Sequence, residues 1–259
     1  MQKKEIKRPS PNIYRHTNYH EVTLLSSFRN NLFEATYPGR TLIIGMNPSG
    51  THYVQVYWIM GRSSNSRNRI FELEQLHVKN TAYDPAKMED PSLIIYYPAR
   101  DIEGYHIISN GDQTDTIFEG LQQSISFEDS LMKREFEPDA PHYTPRISGI
   151  IDTSSNTYCL SILKSKQNDP SVCIRNFFHF NAFTKGTGHC IHTYSCEVNG
   201  ILQSFNGEPL EVPVFDSLDE TASFYWDQIN DDNKISLLVK FISIQGNNIE
   251  FKLINKNAY

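Results

Sequence analysis

The chain has 259 residues, of which 39% are hydrophobic and 21% are charged. This composition is typical of a globular protein, and the length suits one large domain with a substantial core. The formal net charge of −6 disfavours a broad nucleic-acid-binding surface, because such surfaces are usually basic.

Membrane and secretory functions are also disfavoured. No apolar run approaches the roughly 20 residues that cross a bilayer. No apolar segment of a secretory signal follows the basic N-terminus. We therefore expect a cytoplasmic protein with no membrane or nucleic-acid partner.

The cysteines predict buried thiols rather than a disulfide framework or a zinc site. Cys159, Cys173, Cys190 and Cys196 have no C-x-x-C spacing. The histidines between the last two do not complete a standard zinc pattern. No metal is expected.

The first predicted element is a leader over residues 1–36, in which residues 19–33 predict a short helix. A single domain is expected over residues 37–259. It opens with a hairpin, because β-branched and aromatic residues over 41–46 and 52–58 flank the turn sequence N-P-S-G.

A second strand pair is predicted over residues 92–97 and 105–109. The polar segment that follows predicts a helix that Asp112 or Thr114 could cap. This helix is expected to reach about residue 136, with a break near residues 124–127.

The rest of the chain is rich in strands. They are predicted over 147–152, 158–163, 172–180 and 189–197, followed by a helix over 219–229 and a closing hairpin over 235–244 and 249–254. Helices grouped between runs of strands predict an α+β layered domain rather than alternating βαβ units.

The densest polar segment is R-S-S-N-S-R-N-R at residues 62–69. Its donors and near absence of negative charge suit a phosphate that accepts bidentate hydrogen bonds. It predicts an anion site formed by Arg62, Ser63, Asn65, Arg67 and Arg69. A solvated polar loop accounts for the same composition.

A second candidate is S-N-G-D-Q-T-D at residues 109–115. It lies at a strand-to-helix junction, where free backbone N–H groups can bind a ligand oxygen. Asn110, Gly111, Thr114 and Asp115 are the candidate ligands, and they suit a ribose hydroxyl or a carboxamide better than a phosphate. A plain helix cap is the alternative.

Two further loops are candidates. In H-Y-T-P-R at residues 142–146, the proline biases Thr144, itself a candidate substrate ligand, toward an extended conformation, which would aim Tyr143 and Arg146. A loop with a surface arginine is the alternative. In F-T-K-G-T-G-H at residues 183–189, two glycines beside Lys185 allow close approach of a ligand, although a simple β-turn explains them too.

In combination these motifs resemble those of the archaeal-type IMP cyclohydrolases. P-G-R at 38–40, the block at 57–69 with its R-S-x-x-x-R-N-R form, S-N-G-x-x-T-D at 109–115 and Y-T-P-R-I at 143–147 occur in that order. The resemblance covers about residues 37–197. It implies a fold like the N-terminal nucleophile hydrolases, an αββα sandwich of two antiparallel sheets flanked by helices.

The resemblance also implies a reaction, the cofactor-free dehydrative ring closure of 5-formamidoimidazole-4-carboxamide ribotide to IMP in purine biosynthesis. Both reacting groups belong to one molecule, so positioning can supply much of the catalysis. The implied roles are a phosphate anchor (Arg62, Arg67, Arg69), ribose or carboxamide contacts (Asn110 with Thr114 or Asp115), polarisation of the formyl oxygen (Tyr143, Arg146) and proton transfer (Tyr57, Lys185).

Two other functions are compatible with the same motifs. One is a purine-nucleotide sensor that binds without turnover, and the other is an amidohydrolase of a related nucleotide-like substrate. A fold resemblance does not separate them, because function resides in the site. A homo-oligomer is also compatible with the sequence.

Overall fold

A computed structural model describes residues 37–89, 91, 94–246 and 248–258. The leader at residues 1–36, with the helix predicted over residues 19–33, lies outside the described residues. No helix among the described residues is long and apolar enough to cross a bilayer.

Strands dominate the described residues. They are β1 (Thr41–Met46), β2 (His52–Met60), β3 (Ile70–Glu74), β4 (His77–Thr81), β5 (Tyr96–Ile102), β6 (Tyr105–Ser109), β7 (Arg146–Asp152), β8 (Thr157–Lys166), β9 (Asp169–Phe180), β10 (Thr187–His192), β11 (Tyr194–Val198), β12 (Ile201–Ser204), β13 (Leu210–Pro213), β14 (Lys234–Ser243) and β15 (Ile249–Asn255). The α-helices are α1 (Ser64–Arg67), α2 (Gln113–Gln122), α3 (Phe127–Leu131) and α4 (Leu218–Gln228), with 3-10 turns at Pro85–Lys87 and Lys256–Ala258.

Two antiparallel sheets contain most of the strands. The first sheet has the order β13-β10-β1-β2-β14-β15, and the second runs from β3 to β9 in chain order. The largest core cluster joins Leu42 and Tyr57 of the first sheet to Ile147 and Leu160 of the second. The two sheets therefore pack face to face.

Helices cover the outer face of each sheet. Successive residues of a strand point to opposite faces, so Val56 and Trp58 of β2 face away from the second sheet and pack with Tyr225 of α4. On the second sheet, Ile117 of α2 and Leu131 of α3 pack against the strands. The predicted α+β class is confirmed.

The two predicted hairpins of the first sheet are also confirmed. In the first, β1 pairs with β2, and Gly50 occupies the left-handed region with φ of 71°. In the second, β14 pairs with β15. The helix predicted over residues 219–229 is α4, shifted by one residue.

Two predicted boundaries are wrong. The strand predicted to end at residue 97 is β5, which continues through Pro98 to Ile102. The pairing of β5 with β4 is irregular at this point, because its register shifts between Val78 and Asn80 of β4. Proline has no N–H to donate, so it is tolerated at such an irregularity. The helix predicted to reach residue 136 ends with α3, and Asp112 makes no side-chain capping bond.

The strand predicted over residues 189–197 is two strands in different sheets. Thr193 interrupts it, because its N–H donates to the carbonyl oxygen of Arg40 and its hydroxyl to that of Pro38. β10 therefore stays in the first sheet, while β11 leaves it to pair with β12. The sequence did not predict β3, β4, β12 or β13.

Candidate functional site

Charged and phenolic side chains meet at one end of the space between the two sheets. Four of them precede or begin strands β1, β3, β5 and β7. One lies on β2, and one lies in the loop after α3. Each interacts electrostatically with others of the group. We call this group the arginine cluster; its members are Arg40, Tyr57, Arg69, Tyr96, Glu137 and Arg146.

Arg40 and Glu137 form a buried ion pair in this cluster. The Nη2 atom of Arg40 lies 3.1 Å from Oε2 of Glu137, and the two side chains are 11% and 4% exposed. Burial raises the pKa of the Glu137 carboxyl, an effect that the Arg40 guanidinium opposes. Glu137 is therefore easier to protonate than an ordinary glutamate.

Arg69 is a buried cation that forms no ion pair with a carboxylate among the described residues, although Glu137 acts on it electrostatically. Its residue is 6% exposed, and among the described residues its guanidinium makes no hydrogen bond or ion pair, with Nε fully buried and unpartnered. Burial and the neighbouring charge of Arg40 lower the pKa of Arg69. Because an uncompensated buried charge is costly to the fold, such a group is typical of a site that an anionic ligand completes.

Tyr57 and Tyr96 lie beside these cations. Their hydroxyl oxygens are 2.9 Å apart, and both side chains are buried. Burial raises the pKa of each phenol. Tyr57 therefore stays protonated near neutral pH and is suited to donate a hydrogen bond, whereas acting as a base would require a lowered pKa.

Arg146 connects the cluster to a more exposed side. Its Nη1 lies 2.6 Å from Oδ1 of Asp112, which also pairs with Arg134 at 2.5 Å and has a side chain 46% exposed. A side chain at Gly111 would displace the ends of two neighbouring side chains. Its Cβ atom would lie 2.8 Å from Nη1 of Arg146 and 2.7 Å from Oε1 of Gln113. The start of α2 thus approaches this guanidinium closely.

Three predicted ligands make the frame that holds this side of the cluster. The Oδ1 atom of Asn110 accepts from the N–H of Ile147, and its Nδ2 donates to the carbonyl of Pro145, both at 2.9 Å. Thr114 bonds to Ser109, and Thr144 bonds to Asp139. Their polar atoms are engaged within the protein, so they position the loop around Arg146.

The other members of the 62–69 segment point away from the cluster. Arg62 is exposed and pairs with Glu197 at 2.5 Å. Ser63 caps α1, and Asn65 lies within that helix. Arg67 is exposed and donates from Nε to the carbonyl of Gly61 at 3.1 Å.

Three more predicted residues lie elsewhere. Asp115 pairs with Arg100 at 2.7 Å. The ring of Tyr143 packs against Phe136 with centroids 5.6 Å apart. Lys185 is exposed beside the N-P-S-G turn and bridges to Met46, which places it at the far end of β1 from Arg40, roughly 20 Å away at about 3.3 Å per residue.

Sequence reasoning missed Arg40, Tyr96 and Glu137 as site residues. Arg40 stands in the P-G-R motif, so its motif was a usable signal. Tyr96 resembles any aromatic strand residue, and Glu137 lies among other charges after α3. Only the packing of the two sheets brings these residues together.

Buried arginines and phenols of this kind are typical of proteins that bind an anionic small molecule. The family model of IMP cyclohydrolase-like proteins matches residues 37–247, so the chain belongs to that family, as its motifs predicted. The IMP cyclohydrolase of Methanopyrus kandleri (strain AV19) is 30% identical over 119 residues. These cover 45% of this chain and 59% of that protein, so the chain matches a little over half the length of this relative.

Proposed function

We propose that this protein is an IMP cyclohydrolase that closes 5-formamidoimidazole-4-carboxamide ribotide to IMP in the arginine cluster. We further propose that its layers are those of the N-terminal nucleophile hydrolase fold. The observation that carries the functional proposal is Arg69, whose Nε is buried and whose guanidinium has no hydrogen-bond or ion-pair partner in the part of the chain that the structure describes, in a family whose relative bears this name. An anionic ligand or transition state would supply its missing partner.

In this reaction the carboxamide nitrogen attacks the formyl carbon, and the formyl oxygen gains negative charge before it leaves as water. One of the Tyr57 and Tyr96 hydroxyls donates to the other, and the remaining hydroxyl proton of the pair would bond to this oxygen. Arg69 supplies the positive charge beside them. Donors held ready in a buried site stabilise such a charge far better than water does.

Proton transfer falls to Glu137 in this proposal. The attacking carboxamide nitrogen and the formamido nitrogen must each lose one proton, and the formyl oxygen must gain both to leave as water. A carboxyl whose pKa is raised by burial can accept a proton from nitrogen and donate it to this oxygen in each of the two transfers. The ion pair with Arg40 holds the carboxyl in place.

The phosphate would bind at the more exposed side of the cluster. Arg134 and Arg146 share the single carboxylate of Asp112, which leaves one positive charge uncompensated there. Guanidinium groups suit phosphate because they can bond it in a bidentate manner. This arrangement replaces the anchor that the sequence predicted at Arg62 and Arg67.

The test compares two arginines that stand two residues apart. Arg69→Met removes the buried guanidinium, and Arg67→Met is the matched control on the surface. We expect turnover of the formamido ribotide, followed by IMP absorbance, to fall by at least about 10²-fold in R69M and to stay near the wild-type rate in R67M. Equal rates in both variants would sink the proposal.

A second measurement separates an enzyme from a sensor. The wild-type protein is mixed with IMP and its melting temperature is recorded, alongside the turnover assay. We expect both thermal stabilisation and turnover. Stabilisation by IMP without any turnover would contradict the catalytic assignment and favour a protein that only binds the nucleotide.

A further inference from the structure

Three potential metal ligands meet on the outer face of the second sheet. Cys159 of β8 and His179 of β9 are direct cross-strand partners, and Glu128 of α3 lies over them. Each offers one ligand atom, and the three atoms lie within 4.8 Å of one another. A helix and two neighbouring strands thus hold the three side chains together.

The distances fit tetrahedral coordination. Nε2 of His179 lies 3.4 Å from Oε1 of Glu128 and 3.9 Å from Sγ of Cys159. Zinc bonds of about 2.0 Å to nitrogen or oxygen and about 2.3 Å to sulfur place neighbouring ligand atoms roughly 3.4–3.6 Å apart. These two distances are within a few tenths of an ångström of the tetrahedral values, and the third pair, Sγ of Cys159 and the Glu128 carboxylate, lies within 4.8 Å.

A catalytic thiol–imidazole–carboxylate relay is a poorer explanation. In such a relay the histidine contacts the nucleophile through one ring nitrogen and the carboxylate through the other. Here a single atom, Nε2 of His179, faces both Cys159 and Glu128. Three donors that converge on one point are the arrangement that a cation needs.

The charge and the chemical softness of the three ligands also favour Zn²⁺ or a similar cation. A thiolate and a carboxylate balance the charge of Zn²⁺, and sulfur, nitrogen and oxygen are all ordinary zinc ligands. Because zinc binds cysteine as a thiolate, formation of the Zn–S bond would release the thiol proton to solvent.

The fourth coordination position would face a cavity. A cavity of about 370 Å³ is lined by all three ligands and by Tyr158 and Phe180. Three protein ligands with an open position are typical of zinc sites that keep a water molecule or bind a further ligand. We propose that Glu128, Cys159 and His179 form a Zn²⁺ site whose fourth position opens into this cavity.

This site is separate from the arginine cluster. Cys159 lies opposite Ile150 of β7, which is four residues along that strand from Arg146, roughly 13 Å at about 3.3 Å per residue. Zinc binding and ring closure can therefore be tested independently. Variants of the zinc ligands should keep their turnover of the formamido ribotide.

The full-length chain is first freed of metal with a chelator and then titrated with Zn²⁺ alone against a chromophoric competitor. We expect one Zn²⁺ per chain, with release of a proton. Co²⁺ in place of Zn²⁺ should give the near-ultraviolet charge-transfer absorption of a thiolate ligand. Absence of stoichiometric binding would overturn the proposal.

Variants assign the ligands. Cys159→Ser should abolish the thiolate absorption, while Cys173→Ser, another cysteine of the second sheet, should keep it. Because Cys159 is buried and its loss could disturb packing, His179→Ala provides a second test, as its side chain is 63% exposed. Unchanged Zn²⁺ affinity in both Cys159→Ser and His179→Ala would exclude this site.

Discussion

Two groups of buried charges lie between the same two sheets, and they differ in how their cations are paired. In the arginine cluster, Arg69 has no partner among the described residues. In a second group, which we call the lysine cluster (Lys240, Asp101 and His106), Lys240 is fully buried and its ammonium bonds to Oδ1 of Asp101. Nδ1 of His106 lies 2.9 Å from the same oxygen.

We interpret this difference as one between a structural charge, Lys240, and the charge that we propose to be functional, Arg69. Lys240 belongs to the first sheet, while Asp101 and His106 belong to the second, so their bonds tie the sheets together. Burial lowers the pKa of Lys240, and the charge of Asp101 opposes that effect. A cation that already has its carboxylate needs no ligand, whereas Arg69 lacks one. Of these two clusters of described residues, the arginine cluster is therefore the one that we propose binds an anion.

The largest expected effect is on the lysine cluster. Lys240→Met should lower the free energy of unfolding by about 3–5 kcal/mol, because it leaves the buried carboxylate of Asp101 without its cation. Denaturant titration measures this change. The double variant Lys240→Met with Asp101→Asn should recover part of the loss, since a neutral amide needs no counter-ion. A loss below about 1 kcal/mol in the single variant would show that the pair is not structural.

A smaller effect of the opposite sign is expected at the arginine cluster. Arg69→Met should leave stability unchanged or raise it by about 1–2 kcal/mol, because it removes a buried charge that has no partner. The same denaturant titration tests this, alongside the turnover assay. A marked loss of stability would mean that Arg69 supports the fold, and the contrast between the clusters would disappear.

The smallest expected effect is a difference between the two clusters in how protein stability depends on pH. The raised pKa of Glu137 means that the folded state binds the proton more tightly, so this contribution to stability is lost as pH rises through the folded pKa. Glu137→Gln should remove that decline, whatever it does to overall stability.

The stability contribution of Asp101 has the opposite dependence on pH, because the pKa of its carboxyl is lowered in the folded state. Burial alone would raise its pKa, but Lys240 and His106 together outweigh burial and lower it. Its contribution is therefore lost as pH falls through the folded pKa, below the ordinary aspartate value of about 3.9. Unfolding free energies of the wild type, Glu137→Gln and Asp101→Asn across pH measure both slopes. Identical slopes in all three proteins would contradict both assignments.

Much of the fold followed from strand patterns that are apolar on both faces. β2 and β14 are central strands buried on both faces, so their sequences are nearly continuous apolar runs. The missed strand β3 is exposed at three of its five residues. A short strand at a sheet edge resembles a polar loop, because few of its side chains enter the core.

The site was less predictable than the fold. Arg69 could be proposed because a segment with three arginines attracts notice, but the sequence does not tell which of them is buried. Arg62 precedes the single turn of α1 and Arg67 ends it, and both are exposed. Glu137 depends on a contact with Arg40, 97 residues away, for which the local sequence has no signal.

The glycine at position 111 bears on how relatives of this protein can diverge. Its missing side chain leaves space only for the mobile ends of Arg146 and Gln113, so an alanine would displace a guanidinium and leave the strands where they are. If Arg146 binds the phosphate as we propose, a protein could thus keep the entire architecture while losing the ability to accept a ribotide phosphate. In a distant homologue, the residue at this one position would report ligand preference more directly than overall similarity.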